Sequence, residues 1–324
     1  MKVVVVGRFP PPYGGVSIFV KRKYESMRSA GAGYVDLRSL WWPAKLFWLV
    51  ISSRCEFYVN TGNIHFLLAC YLLGALRRSY VYDHNASRRN WGRGRLERLY
   101  IFLVKNALGI RVVHQHLKAG YESRGLGHKV EVESPFLPPV ESEQAEILKS
   151  YPEEVVDFLE STHGLKLALS ASVYVRDGAG RDVYGIDALI ASLEYLQEEG
   201  CEPRCLLAIA EFDESLLPRD LAVRMDRLAS AGVLVKMLGQ YQFWPVYKRV
   251  HAFLRLTSTD GDSISIREAI HFGCPVLASD VVPRPDGVKL YGYGNQDELN
   301  ALLRGLKNGS AQSELPIRIL NQNT

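Results

Sequence analysis

Short β-rich runs alternate with helix-length stretches along this 324-residue chain, in two series. Alternation of that kind restricts the fold to parallel sheets joined by crossover helices. The first series has expected strands at residues 2–7, 34–37, 56–60, 79–83, 111–113 and 129–133, with segments between them long enough for helices. The second begins near Leu165, with strands at 165–175, 205–212, 233–238, 253–257 and 275–279 and helices at about 184–200, 215–230, 242–250, 265–272 and 296–307. Between the series lies Ser134-Pro135-Phe136-Leu137-Pro138-Pro139, followed by an acidic, helix-forming stretch. A proline-rich switch between two series reads as an interdomain linker. The expected architecture is α/β: two Rossmann-like, doubly wound domains, residues 1–150 and 151–324, facing each other across a ligand-binding cleft.

Composition narrows the class of partner. With 47% hydrophobic and 23% charged residues the chain can bury two ordinary cores. Its net charge is +4, and its Lys and Arg residues form no long basic block of the kind a nucleic-acid binder carries, so no nucleic-acid partner is expected. A phosphate-bearing ligand or an anionic membrane surface suits the balance better. The five cysteines make no disulfide framework, and Cys201 and Cys205 lack a second Cys/His pair at zinc spacing. A reducing compartment and no metal are therefore expected. Residues 2–7 read as a first strand rather than a signal peptide, and no apolar run reaches the ~20 residues of a spanning helix. The expected location is the cytoplasm, with peripheral attachment to the inner face of the membrane as its extension.

Two segments carry the chemistry. In Gly7-Arg8-Phe9-Pro10-Pro11-Pro12-Tyr13-Gly14-Gly15, which follows the first strand, Gly14 and Gly15 let the backbone approach a ligand at a helix N-terminus. The pattern is not G-x-G-x-x-G, which speaks against a nicotinamide or flavin; a purely structural turn is the alternative. In Ser258-Thr259-Asp260-Gly261-Asp262-Ser263-Ile264-Ser265-Ile266-Arg267-Glu268, one acid sits on a loop and a second near a helix start, ahead of the turn Gly273-Cys274-Pro275-Val276. Such a loop offers N–H groups and a positive dipole end to a diphosphate, and its acids can accept hydrogen bonds from sugar hydroxyls. Ser265-Ile266-Arg267-Glu268 also fits the S-x-x-E capping box, in which Glu268 only satisfies a backbone N–H.

Together these segments resemble the retaining nucleotide-sugar glycosyltransferases of the GT-B fold, the group 1 family common in bacterial surface-polysaccharide synthesis. The resemblance also rests on Tyr82-Asp83-His84, Tyr184-Gly185-Ile186-Asp187 and Gly239-Gln240-Tyr241, and covers most of the chain. It implies that Glu268 holds the nucleotide ribose, that Asp260 and His84 lie at the donor sugar and reaction centre, and that N–H groups near Ser263 and Ile264 hold the diphosphate. His84 has an alternative as a hydrogen-bonded histidine beneath a loop. Two positions depart from the family pattern: Asp260 stands where Glu is usual, and Tyr184 where a diphosphate-binding Lys is usual. Arg176 or Arg181 is the expected substitute for that charge, since a guanidinium can chelate phosphate oxygens; either is equally a solvated loop residue. Arg88 and Arg89 are expected to meet an anionic acceptor such as a lipid diphosphate, or to form a solvated helix start.

Trp41-Trp42-Pro43-Ala44-Lys45-Leu46-Phe47-Trp48 is unusually aromatic. An amphipathic helix here would bring Trp41, Trp42, Lys45 and Trp48 to a membrane surface; the alternative is an ordinary helix packed on the sheet. Each aromatic would contribute on the order of 2 kcal/mol and each basic residue ~1 kcal/mol, enough to dock but not to insert. The expected function is a metal-independent glycosyltransferase with no cofactor beyond its nucleoside-diphosphate sugar co-substrate, acting on a lipid-linked or polysaccharide acceptor. A nucleotide-sugar epimerase of the same fold is one alternative. A non-catalytic, transferase-like subunit is the other, prompted by Asp260 and Tyr184.

Overall fold

The computed structural model describes residues 2–52, 54–84, 87, 91–113, 115–134, 136–261 and 263–307. The chain divides into two compact units, Met1–Pro139 and Val140–Thr324. The division falls at the end of the proline-rich segment rather than at residue 150, because Ile147 and Tyr151 pack into the core of the second unit.

The first unit contains strands β1 (Lys2–Gly7), β2 (Gly33–Asp36), β3 (Cys55–Val59), β4 (Ser79–Asp83), β5 (Gly109–Val112) and β6 (Val130–Val132). Helices α1 (Gly15–Arg28), α2 (Trp42–Ser52), α3 (Ile64–Leu72), α4 (Arg95–Lys105) and α5 (Gln115–Glu122) alternate with them. The sheet is parallel, in the order β2-β1-β3-β4-β5-β6. A parallel sheet covered on both faces needs continuous apolar strands, and Val4, Val5 and Val6 are fully buried. Gly7 lets α1 approach the end of β1, since a Cβ there would lie 2.8 Å from a Val20 methyl.

In the second unit α6 (Gln144–Lys149) and α7 (Glu153–Glu160) precede β7 (Leu165–Val173), α8 (Ile186–Glu198), β8 (Pro203–Glu211), α9 (Arg219–Ser230) and β9 (Leu234–Leu238). Then follow β10 (Ala252–Arg255), α10 (Ile264–His271), β11 (Val276–Ser279), β12 (Val288–Tyr291) and α11 (Gln296–Lys307). The order is β12-β11-β10-β7-β8-β9, again parallel. Strand β12 has no counterpart among the expected strands. The helix expected at 242–250 is a five-residue 3₁₀ turn, Trp244–Lys248, with Pro245 at its start.

Each sheet reverses its winding once. The chain steps from β1 out to β2 and returns past β1 to β3, and in the second unit it winds from β7 through β9 before returning to β10 beside β7. In doubly wound sheets ligands bind beyond the carboxyl ends of the strands at this switch point. The places that matter are therefore the ends of β1 and β3, and those of β7 and β10.

Candidate functional site

Beyond β10 the chain runs through Thr257 and Ser258 to α10. Gly185, just before α8, crosses close over this end: its φ is +75° and a Cβ would lie 2.2 Å from the Leu256 carbonyl oxygen. Only glycine fits both demands. The Ser258 N–H donates to the Val183 carbonyl at 3.1 Å, and the buried Ser258 hydroxyl has no hydrogen-bond partner among the described residues.

Ser263 caps α10, its Oγ accepting from the Ile266 N–H at 3.4 Å, and Ile264 is the first helical residue. The first turn holds no acid, so its N–H groups and dipole offer positive charge to an anion. This start removes the capping-box explanation of Glu268: the residue at the box position is Ile266. Glu268 lies a turn into the helix with 4% of its surface exposed. The Tyr151 phenol near it is pushed up by burial and by the Glu268 charge.

Asp260 departs from the expected sugar acceptor. Arg255 Nε and Nη2 donate to its two oxygens at 3.0 and 2.9 Å, and Arg284 Nη1 donates to Oδ2 at 2.6 Å. Arg284 also reaches the Ser279 carbonyl at 3.2 Å and Thr257 Oγ1 at 3.3 Å, with its side chain 2% exposed. Burial pushes the Asp260 carboxyl up, but hydrogen bonds and charge from Arg255 and then Arg284 outweigh it and hold the group below the usual carboxylate range. Its oxygens are occupied by guanidinium groups rather than open to a hydroxyl.

The Arg255 guanidinium lies 5.7 Å from the Tyr184 ring centre. A positive charge from the end of β10 thus stands beside Tyr184 in the loop before α8. Neither Arg255 nor Arg284 was among the expected site residues. A lone Arg in the apolar run Ala252-Phe253-Leu254-Arg255-Leu256 was the available signal for the first, because a charge there needs a partner. Arg176 and Arg181, by contrast, sit on an exposed hairpin closed by the Arg176–Asp182 bridge and pair with Asp187 at 2.6 Å and Asp177 at 2.8 Å.

In the first unit His84 follows β4, and its Nε2 lies 3.1 Å from Oδ1 of Asn60, the residue after β3. Asn60 Nδ2 donates to the Val6 and Tyr58 carbonyls at 3.3 and 3.0 Å, which ties His84 to the β1/β3 switch point. As Asn60 Oδ1 accepts, Nε2 of His84 carries the proton. The ring packs edge-on to Phe19, centroids 4.8 Å apart, and stacks near Tyr82. Burial pushes its pKa down to about 4 against the pull of Asp83 and Glu133, so it is neutral near pH 7. Asp83 is buried and accepts from the Tyr121 hydroxyl at 2.9 Å and the Ser87 N–H at 3.2 Å.

Gly14 is the N-cap of α1, which begins at Gly15, and its N–H already donates to Ser17 Oγ at 3.0 Å and to the Pro12 carbonyl at 3.1 Å. Arg88 and Arg89 lie outside the described residues. Trp41, Lys45 and Trp48 are exposed. Trp42 is not: one residue turns a helix by about 100°, and its ring packs inward 5.2 Å from that of Phe66.

No protein-family model matches the chain, and no curated protein matches it. Solved structures do. Anabaena HepE in complex with UDP aligns over 96% of this chain and 91% of its own, with 13% identity and a TM-score of 0.61. The lipopolysaccharide outer core galactosyltransferase WaaB, in its apo form, covers 96% and 91% at 14% identity and 0.55. The E. coli trehalose-6-phosphate structure bound with UDP-2-fluoro glucose covers 96% and 92% at 11% and 0.60. The chain therefore has the GT-B fold, two Rossmann-like domains each built on a parallel sheet.

Proposed function

We propose that the protein is a glycosyltransferase that moves a sugar from a nucleoside-diphosphate sugar to a hydroxyl of a lipid-linked or polysaccharide acceptor. One observation carries this: the acid-free N-terminus of α10 opens at the β7/β10 switch point, with a buried Glu268 a turn along the helix. A fold shared with structures that hold UDP or a UDP-sugar supports the same assignment.

In this scheme the amides near Ser263 and Ile264 take the diphosphate and Glu268 accepts from the ribose hydroxyls. Arg255 supplies the charge that a Lys at 184 would bring. Asp260 acts through Arg255 and Arg284, holding both in place. His84, uncharged near pH 7 with Nε2 engaged by Asn60, positions a hydroxyl by accepting from it at Nδ1 rather than donating a proton as an imidazolium. No side-chain nucleophile is invoked: the rate comes from orienting two substrates and stabilising the departing diphosphate, without a metal. Retention of configuration, a role in bacterial surface-polysaccharide synthesis and a place at the cytoplasmic face of the membrane complete the proposal. Among the described residues no helix is long and apolar enough to cross a membrane.

A thermal-shift panel of UDP, GDP, ADP, CMP and dTDP against wild type and Glu268→Gln tests it. One nucleotide should raise the wild-type melting temperature, with about 2.7 kcal/mol of stabilisation at a hundredfold excess over Kd, and the variant should lose most of the rise. No shift with any nucleotide would favour a non-catalytic subunit, and turnover without acceptor would favour an epimerase.

A further inference from the structure

We propose that the outward face of α2 in the first unit is a docking surface for an anionic lipid bilayer. The helix is apolar on its outward face as well as on its packed one. Leu46 is 1% exposed and Trp42 packs inward, whereas Trp41 is 78%, Trp48 67%, Ile51 66% and Phe47 52% exposed. At about 100° per residue Trp41, Phe47, Trp48 and Ile51 fall within one arc of the helix, with Ala44 between them. Leu40, 94% exposed, extends the arc at its start. Paired tryptophans on an exposed apolar arc suit the boundary between headgroups and acyl chains.

Charge selects the occupant. From Leu37 to Arg78, the stretch that holds α2 and the turn packed on its end, the sequence has five Lys and Arg residues against one acid, Glu56. Glu56 is half-buried, and Arg38 is paired with Asp36 just outside that stretch at 3.0 Å. Lys45, Arg54 and Arg77 are exposed. No basic run marks it; the bias comes from missing acids. Arg78 Nη2 donates to the Val50 carbonyl at 3.1 Å, which sets the turn Leu76–Arg78 against the last turn of α2. Arg54 and Arg77, both exposed, flank that end. A second copy meeting this face isologously would set like charge against like charge, whereas an anionic leaflet complements it.

This surface is independent of the nucleotide site, and the full-length chain tests it by flotation. Vesicles of phosphatidylcholine are compared with vesicles in which part of that lipid is replaced by phosphatidylglycerol, at low and high salt. The wild type should float with the phosphatidylglycerol vesicles, far less with phosphatidylcholine alone, and be released by salt. Trp41→Ser with Trp48→Ser should lower partitioning by roughly tenfold or more with an unchanged melting temperature, since both side chains are exposed. Arg54→Gln with Arg77→Gln should weaken binding to the anionic vesicles only. Wild type left unfloated, or a tryptophan variant that floats equally well, would overturn the proposal. So would a concentration-dependent dimer in sedimentation that the tryptophan variant abolishes, which would give the face to a second copy. The nucleotide panel on the same samples keeps this result separate from the fate of the glycosyltransferase assignment.

Discussion

Asp260 is held between two guanidinium groups and is nearly out of water, so its charge is tied to theirs. Asp260→Asn leaves Arg255 and Arg284 facing each other without an anion, and should cost about 3–5 kcal/mol in denaturant unfolding. Asp260→Glu keeps the charge but adds a methylene in a closed site, at about 1–3 kcal/mol. A residue that only met a donor hydroxyl would show neither loss without substrate, so unchanged stability in Asp260→Asn would refute the holding role. His84 gives a separate pH signature. Its folded pKa lies below its unfolded value, so the unfolded chain binds the proton more readily and stability falls as pH drops from about 6.5 to about 4. The contribution should be on the order of 2 kcal/mol after its partial exposure is allowed for. His84→Gln should flatten that part of the pH–stability curve; an unaltered curve would mean the ring titrates normally.

At the level of elements, the close crossing at Gly185 positions α8 over the end of β10. Gly185→Ala combines a left-handed φ with a 2.2 Å approach to a backbone oxygen, and neither neighbour is a flexible side chain. It should destabilise by more than about 1–3 kcal/mol, read as a lower denaturant midpoint, and weaken any nucleotide effect with it. Parallel strands were legible because burial on both faces writes them as apolar runs, as in Val3-Val4-Val5-Val6. β12 was not: Val288-Lys289-Leu290-Tyr291 is a four-residue edge strand carrying a charge, after a loop rich in turn residues. The capping box at Ser265 fitted its local pattern, but Ser263 two residues earlier competes for the cap. Tertiary packing decides between them, since Ile266 and Ala269 must both enter the core. Arg284 reaches Asp260 across 24 residues from a loop, a pairing no local spacing encodes.

At the scale of the whole molecule, the residues assigned to sugar transfer are split between two units, each with its own core and switch point. Ser263, Ile264, Glu268 and Arg255 belong to the second, His84 to the first. A nucleotide without a sugar should therefore engage the second unit's residues. Binding linkage acts on openings that destroy the site, and slows amide exchange through them by up to 1 + [L]/Kd, about 100-fold at a hundredfold excess. Hydrogen exchange with and without the nucleotide selected by the thermal panel should show slowing in α10 and at the start of α8, where the backbone forms the site. The amides of α1 and those following β4 should change less than these. Slowing confined to α1 and the end of β4 would instead place the nucleotide at the β1/β3 switch point, and Glu268 would then lose its assignment as the ribose ligand.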